Sequence, residues 1–231
     1  MKGSELARLI DHTLLKPEAT PADIQQLCEE ALEYRFACVC INPVYVPMAA
    51  AELAGTDVEV GAAIGFPLGA TTTTAKVCEA KQALDDGATE LDMVIHIGAL
   101  KAGERDRVVE DVAAVAAVCH EEGALLKVII EAALLDDDEK VEACEAAEDA
   151  GADFVKTSTR SQSNRRQRRC PDRRGRALLI VAGRGTTLSP HGDPVSAQAS
   201  HGDARDGETR SQSTNRKGKL PCEIEAIPHG W

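Results

Sequence analysis

Six times in its first 159 residues the chain passes from a short apolar run to an amphipathic, alanine-rich segment and back. That alternation restricts the fold more than any bulk property does. Residues 10–15, 36–41, 58–65, 90–95, 125–131 and 153–156 are predicted strands, short and apolar. Helices fill the intervals. Thr20 caps the first, with Pro21 at its first turn, and that helix runs to about residue 34. Residues 43–54, 71–86, 104–122 and 136–150 are the others. Gly87, Gly123 and Gly151 stop three of them, and Asp136, Asp137 and Asp138 lie where carboxylates complement a helix N-terminus. Repeated βα units bury strands on both faces and predict a parallel sheet covered by helices. An open doubly wound sheet and a (β/α)8 barrel both satisfy this. The polar residues Asp11, Asp92, Lys127, Glu131 and Lys156 favour the barrel, because they converge from several strands as barrel active sites do. Six units in 159 residues is also barrel density, since eight occupy about 200–250 residues.

A lysine ending a buried strand needs an explanation, because an unpaired buried ammonium costs several kcal/mol. Lys156 either pairs with a carboxylate such as Asp92 or forms a Schiff base as a nucleophile. An ordinary lysine amine, with a pKa near ~10.4, is neutral at pH 7 in only about one molecule in a few thousand. The second role therefore needs a pKa lowered by burial or by a nearby cation, and Lys127 on the adjacent strand is the candidate cation. Asp92 is either a salt-bridge partner of these lysines or a carboxylate relaying protons through a water. Asp11 and His12 either bind a hydroxylated substrate or close one end of the barrel. The glycine-rich stretch from Gly61 to Gly69 lacks the Gly-Lys-Ser/Thr ending of a phosphate loop and is expected to link strand to helix. His12, His96 and His120 are scattered and form no metal-ligand cluster, so no metal is expected. Eight cysteines occur without a Cys-x-x-Cys pair and are expected as reduced thiols. Cys38 and Cys40 are expected on opposite faces of their strand, unable to share a metal.

The pattern ends at Arg160. Residues 1–159 carry 12 Lys and Arg against 31 Asp and Glu, whereas residues 160–231 carry 14 against 7. The balances are −19 and +7, which divides the chain into a domain over 1–159 and a basic tail over 160–231. The tail repeats Arg-Ser-Gln-Ser at 160 and 210 and His-Gly-Asp at 191 and 201, and its one apolar run is 177–182. Such composition predicts disorder. Stacking residues are lacking, so a solvated charge run is favoured over a nucleic-acid partner. The acidic head suits a salty cytoplasm and an ordinary acidic enzyme equally. Residues 1–30 show no signal-peptide core, and no apolar run approaches the ~20 residues that span a bilayer. A cytoplasmic protein without a membrane partner is expected.

Seven segments, in order, resemble the deoxyribose-phosphate aldolases, class I aldolases that join acetaldehyde to glyceraldehyde 3-phosphate through a lysine Schiff base. They are Ile10-Asp-His-Thr-Leu-Leu-Lys16, Cys38-Val-Cys-Ile-Asn-Pro43, Ile64-Gly-Phe-Pro-Leu-Gly-Ala-Thr-Thr-Thr73, Glu90-Leu-Asp-Met-Val-Ile95, Ile97-Gly-Ala-Leu-Lys101, Leu126-Lys-Val-Ile-Ile-Glu131 and Gly151-Ala-Asp-Phe-Val-Lys-Thr-Ser-Thr159. The resemblance implies a (β/α)8 barrel, Lys156 as the Schiff-base lysine and Asp92 as the proton relay. It also implies Asp11, Cys40, Lys127, Thr157 and Thr159 around a small phosphorylated sugar, no cofactor, and leaves a homo-oligomer open. After Thr159 the family continues with glycine, then a seventh-strand lysine that lowers the pKa of the first, then a phosphate loop. Here Arg160 follows, and neither motif occurs in 160–231. Two readings result: an aldolase by descent, and an inactive remnant with a non-native tail, poorly stable because a barrel lacking its last strands exposes edges. The abrupt boundary is expected from a shift of reading frame near codon 160. Another frame of the gene should then encode a lysine-bearing seventh strand, and sequencing that finds none removes the idea.

Overall fold

The computed structural model describes residues 6–157 and 181–183. Within them every predicted strand and helix forms, with ends within two residues of expectation except at the second helix, which starts three residues late because a 3-10 turn takes its first turn. The strands are β1 (Asp11–Leu14), β2 (Cys38–Ile41), β3 (Glu59–Ile64), β4 (Glu90–Val94), β5 (Leu125–Ile129) and β6 (Phe154–Lys156). Between them lie α1 (Pro21–Tyr34), α2 (Val46–Glu52), α3 (Thr73–Asp85), α4 (Ile97–Lys101), α5 (Arg105–Glu121) and α6 (Asp137–Asp149). Sequence reading missed α4, only five residues long. A 3-10 turn at Pro43–Tyr45 precedes α2, and a second lies at Ala132–Leu134.

Local chemistry explains the boundaries. Thr20 and Asp23 form a capping box at α1, and Asp136 and Glu139 form another at α6, each satisfying two otherwise orphaned N–H groups. Gly87, with φ of 107°, ends the α3 unit in a conformation that a Cβ disfavours. In α1 the buried residues Ile24, Leu27, Cys28 and Ala31 recur at helical spacing and make the stripe that seats on the sheet.

Strands β1 to β6 pair in sequence order, all parallel. This is the arc of a (β/α)8 barrel, and alternate residues along it divide the interior. One set, including Val39, Ile41, Val60, Ile64, Leu91, Met93, Leu126 and Val128, packs with the helices in a single apolar core. Each large side chain there stabilises the fold by about 1.5–3 kcal/mol. The opposite set carries Asp11, Cys38, Cys40, Asp92, Lys127 and Lys156, buried but outside that core. Cys38 and Cys40 both belong to it. Side chains two apart on a strand share a face, so their expected placement on opposite faces is corrected.

The seventh strand departs from a barrel. Val181–Gly183, here β7, pairs with β6 antiparallel, with Lys156 opposite Val181. A βα repeat would deliver a parallel strand at that edge, so β7 does not continue the barrel. It also covers the β6 edge that was expected to lie open. The rest of the 160–231 tail lies outside the described residues, and with it the expectation of disorder there. Among the described residues no helix is long and apolar enough to cross a membrane.

Candidate active site

The face opposite the helices gathers five charged side chains from four strands. Lys156, the last residue of β6, places its Nζ on Asp92 Oδ2 from β4, and Asp11 Oδ2 from β1 lies 3.7 Å away. Lys127, central in β5, donates to Asp11 Oδ2 at 2.9 Å and to Glu90 Oε2. Cys40 Sγ donates to Asp92 Oδ2 at 3.1 Å. Lys156 has no exposed surface, and Asp92 is 1 % exposed. Period-2 geometry produces this grouping, since Glu90 and Asp92, Cys38 and Cys40, and Asp11 all fall on the face shared with both lysines.

Three carboxylates therefore face two ammonium groups, a formal excess of one negative charge. Burial alone pulls the Lys156 pKa down, but the surrounding Cys40, Asp92 and Asp11 outweigh it and leave it above the ordinary lysine value. Lys127 behaves likewise: burial lowers it, Asp92, Cys38, Asp11 and Glu90 raise it, and the raising groups win. Burial pushes Asp92 up, while Lys156 and Lys127 pull harder and hold it below the ordinary carboxylate value. The Cys40 thiol is pushed well up by burial first and by Asp92 second, so it acts as a neutral donor. The expectation that Lys127 lowers the pKa of Lys156 is thus corrected. Its charge is taken up by two carboxylates, one of them Glu90.

Asp92 Oδ1 is the one buried side-chain oxygen or nitrogen without a hydrogen-bond partner among the described residues. An acceptor atom left open beside a lysine has room for a water or a substrate hydroxyl, the geometry that proton relay through a carboxylate needs. Asp11, Cys38 and Glu90 also offer donor atoms within 4.8 Å of one another, as metal ligands do. Lys127 already bonds both carboxylates, so an ammonium fills the place a cation would take.

The structure brings together Asp11, Cys40, Asp92, Lys127 and Lys156. Thr157 follows β6, is exposed, and its carbonyl accepts the Ala132 N–H at 2.6 Å. Thr159 lies outside the described residues. His12, weighed beside Asp11, is on the other face, where it bonds Glu30 at 2.7 Å and packs on Phe36. Glu131 lies past the end of β5, buried, with a left-handed φ of 48°. His96 accepts the Ala99 N–H as the cap of α4. Cys28, Cys38, Cys40, Cys119 and Cys144 are free thiols. Glu90 and Cys38 were missed, though spacing two before Asp92 and two before Cys40 marked them. A second buried ion pair, Lys76 with Asp111, was missed as well.

Comparison with known proteins gives the family of the chain. A family profile described as DeoC/LacD family aldolase matches residues 6–173. Over 161 residues the chain is 56% identical to the deoxyribose-phosphate aldolase of Thermococcus gammatolerans, covering 69% of this chain and 72% of that protein. It is 56% identical over 156 residues to the enzyme of that name from Clostridium tetani, covering 67% and 71%. Among solved structures, a putative deoxyribose-phosphate aldolase from Coccidioides immitis superposes with a TM-score of 0.66 at 44% identity, covering 69% of this chain and 62% of that one. A deoxyribose phosphate aldolase from Aeropyrum pernix, described as having a unique tetrameric structure, gives 0.64 at 38% identity, covering 68% and 65%. The chain thus matches slightly under two thirds of each of these solved structures.

Proposed function

This chain belongs to the DeoC/LacD family of aldolases, and on that premise we propose that its site serves reversible aldol cleavage of 2-deoxy-D-ribose 5-phosphate to acetaldehyde and D-glyceraldehyde 3-phosphate. The observation that carries the reading is Lys156, fully buried at the end of β6 and bonded to Asp92. In this scheme the neutral Lys156 amine attacks the sugar aldehyde, and loss of water leaves an iminium. That cation accepts the electrons of the bond between C2 and C3 as the C3 hydroxyl gives up its proton, which releases glyceraldehyde 3-phosphate and leaves an enamine on Lys156. Protonation of the enamine carbon restores the iminium, and water then releases acetaldehyde and the free amine. Asp92 relays protons to and from the carbinolamine, which its unpartnered Oδ1 suits. Asp11, Cys40, Lys127, Thr157 and Thr159 line the substrate. The iminium is the electron sink, so the scheme calls for no cofactor. Residues 1–159 are the aldolase domain, residues 160–231 a basic tail beyond it, and self-association follows from the likeness to the tetrameric Aeropyrum pernix protein.

A specific observation favours a second reading, that of an inactive remnant. The excess carboxylate holds Lys156 protonated, and 160–231 contain no family motif for the second lysine. Borohydride reduction in the presence of acetaldehyde decides between them. Alkylation of Lys156 supports a competent site, and its absence at every pH leaves the remnant.

The charge count makes a further prediction. Asp11→Asn removes one negative charge 3.7 Å from Lys156 Nζ and brings the cluster to balance. The pH at which Lys156 becomes trappable should fall by about one unit or more, giving roughly tenfold more neutral amine at a given pH. Trapping followed from pH 7 to 11 measures this. An unmoved profile means that Asp11 does not set the lysine's charge state.

A further inference from the structure

Lys76 shares with Lys156 the distinction of a lysine without exposed surface, and it lies outside the polar cluster, on α3. Its Nζ donates to the Val94 carbonyl at 3.0 Å and to Asp111 Oδ2 on α5 at 2.5 Å. Asp111 Oδ1 in turn accepts the Thr73 hydroxyl at 2.8 Å. The stem of Lys76 passes under Gly65, where a Cβ would lie 3.0 Å from Lys76 Cε. The Gly65 N–H is itself fixed by Glu79 Oε2 at 2.7 Å, again from α3. One ammonium therefore ties the end of β4 to two helices while its stem packs beneath the residue that follows β3.

Val94 is the last residue of β4 and stands two residues after Asp92, on the same face. An ion pair kept only to join α3 to α5 has no need of a strand carbonyl. Resting on the reading of Asp92 as a proton relay, we propose that Lys76 is a positioning residue: anchored by Asp111, it clamps the Val94 carbonyl and fixes the strand end that presents Asp92 to Lys156. A shift of about 1 Å at such a relay is enough to cost a large factor in rate.

The experiment separates clamp from ion pair. In K76M/D111L both buried charges go together and volume is kept, a change that often leaves stability intact, but no donor remains for Val94. In D111N the Lys76 amine keeps Val94 and an amide oxygen. The readout is the 13C NMR titration of the Asp92 carboxyl, which responds to its contact with Lys156. The expected result is a thermal midpoint near the parent's for the double variant, with Asp92 titrating about one unit or more higher, and an unmoved titration for D111N. Should the double variant not fold, K76Q replaces it, its amide being too short to hold both Asp111 and Val94, and the same upward shift is expected. An Asp92 titration matching the parent's in K76M/D111L or K76Q overturns the proposal. So does an equal shift in D111N, which would make the ion pair itself responsible. Asp92 titrates whether or not the chain turns over a sugar. Failed trapping with acetaldehyde therefore sinks the functional reading alone, and an unmoved titration sinks this one alone.

Discussion

Replacing Lys156 by methionine or arginine will reduce borohydride-dependent incorporation of acetaldehyde at residue 156 to nothing, with other lysines labelled as in the parent chain. Methionine fills much of the same volume without a nitrogen. It leaves Asp92, 1 % exposed, without its ammonium, and loss of one partner of a buried pair costs about 3–5 kcal/mol. Lys156→Met alone would thus confuse an unfolded chain with an unreactive one. Arginine keeps a cation beside Asp92 but never becomes a neutral nucleophile, so Lys156→Arg separates charge from chemistry. In the parent chain, labelling of the peptide holding residue 156 should climb nearly tenfold per pH unit up to at least pH 10, because the carboxylate excess keeps the amine protonated beyond the ordinary lysine range. Peptide mapping by mass spectrometry reads this directly. Incorporation at residue 156 that levels off below pH 9 would show a depressed pKa, and with it a cation that the described residues do not supply.

The fold was legible because its signal is periodic. Each strand had to be apolar toward the helices, and six such runs with capped helices between them leave few topologies. The site was legible for the same reason, since a polar residue in a parallel strand, such as Asp92 or Lys127, has few places to go but the inside of a barrel. What failed was the sign of the electrostatics. Lys127 was expected to lower the pKa of Lys156, and counting Asp11 and Asp92 alone against two lysines would have left the site neutral. Glu90 adds the third carboxylate, and that one residue reverses the outcome. Its spacing from Asp92 was visible, but a glutamate opening a strand is usually solvated. Lys76 gave a fainter signal, its place with Ala80 and Ala83 in the buried stripe of α3. Nothing in the sequence marked the antiparallel direction of β7, because pairing direction is set by the path of the intervening chain and not by residue type.

Lys127→Met should be the most destabilising single change at the site, and it should carry a pH signature that a simple packing defect lacks. Lys127 bonds Asp11 and Glu90 together, and both carboxylates are over nine-tenths buried. Without it, Lys156 alone faces three carboxylates. The loss should reach or exceed the ~3–5 kcal/mol for breaking a buried pair, a large share of a typical 5–15 kcal/mol total. At roughly 2–4 °C per kcal/mol for a chain of this size, the thermal midpoint should fall by about 6–20 °C at pH 8. In the variant, uncompensated burial disfavours the charged form of the carboxylates that Lys127 had paired. Protonation relieves that penalty, so the variant's stability rises as pH falls. In the parent, Asp92 is held below its ordinary value, so its contribution is lost only in acid below the ordinary carboxylate range and stays in place from pH 8 to pH 5. The difference between the two midpoints should therefore shrink steadily from pH 8 to pH 5. A pH-independent difference would mean that Lys127 contributes volume and not charge, and the balance of three carboxylates against two lysines would then not govern this site.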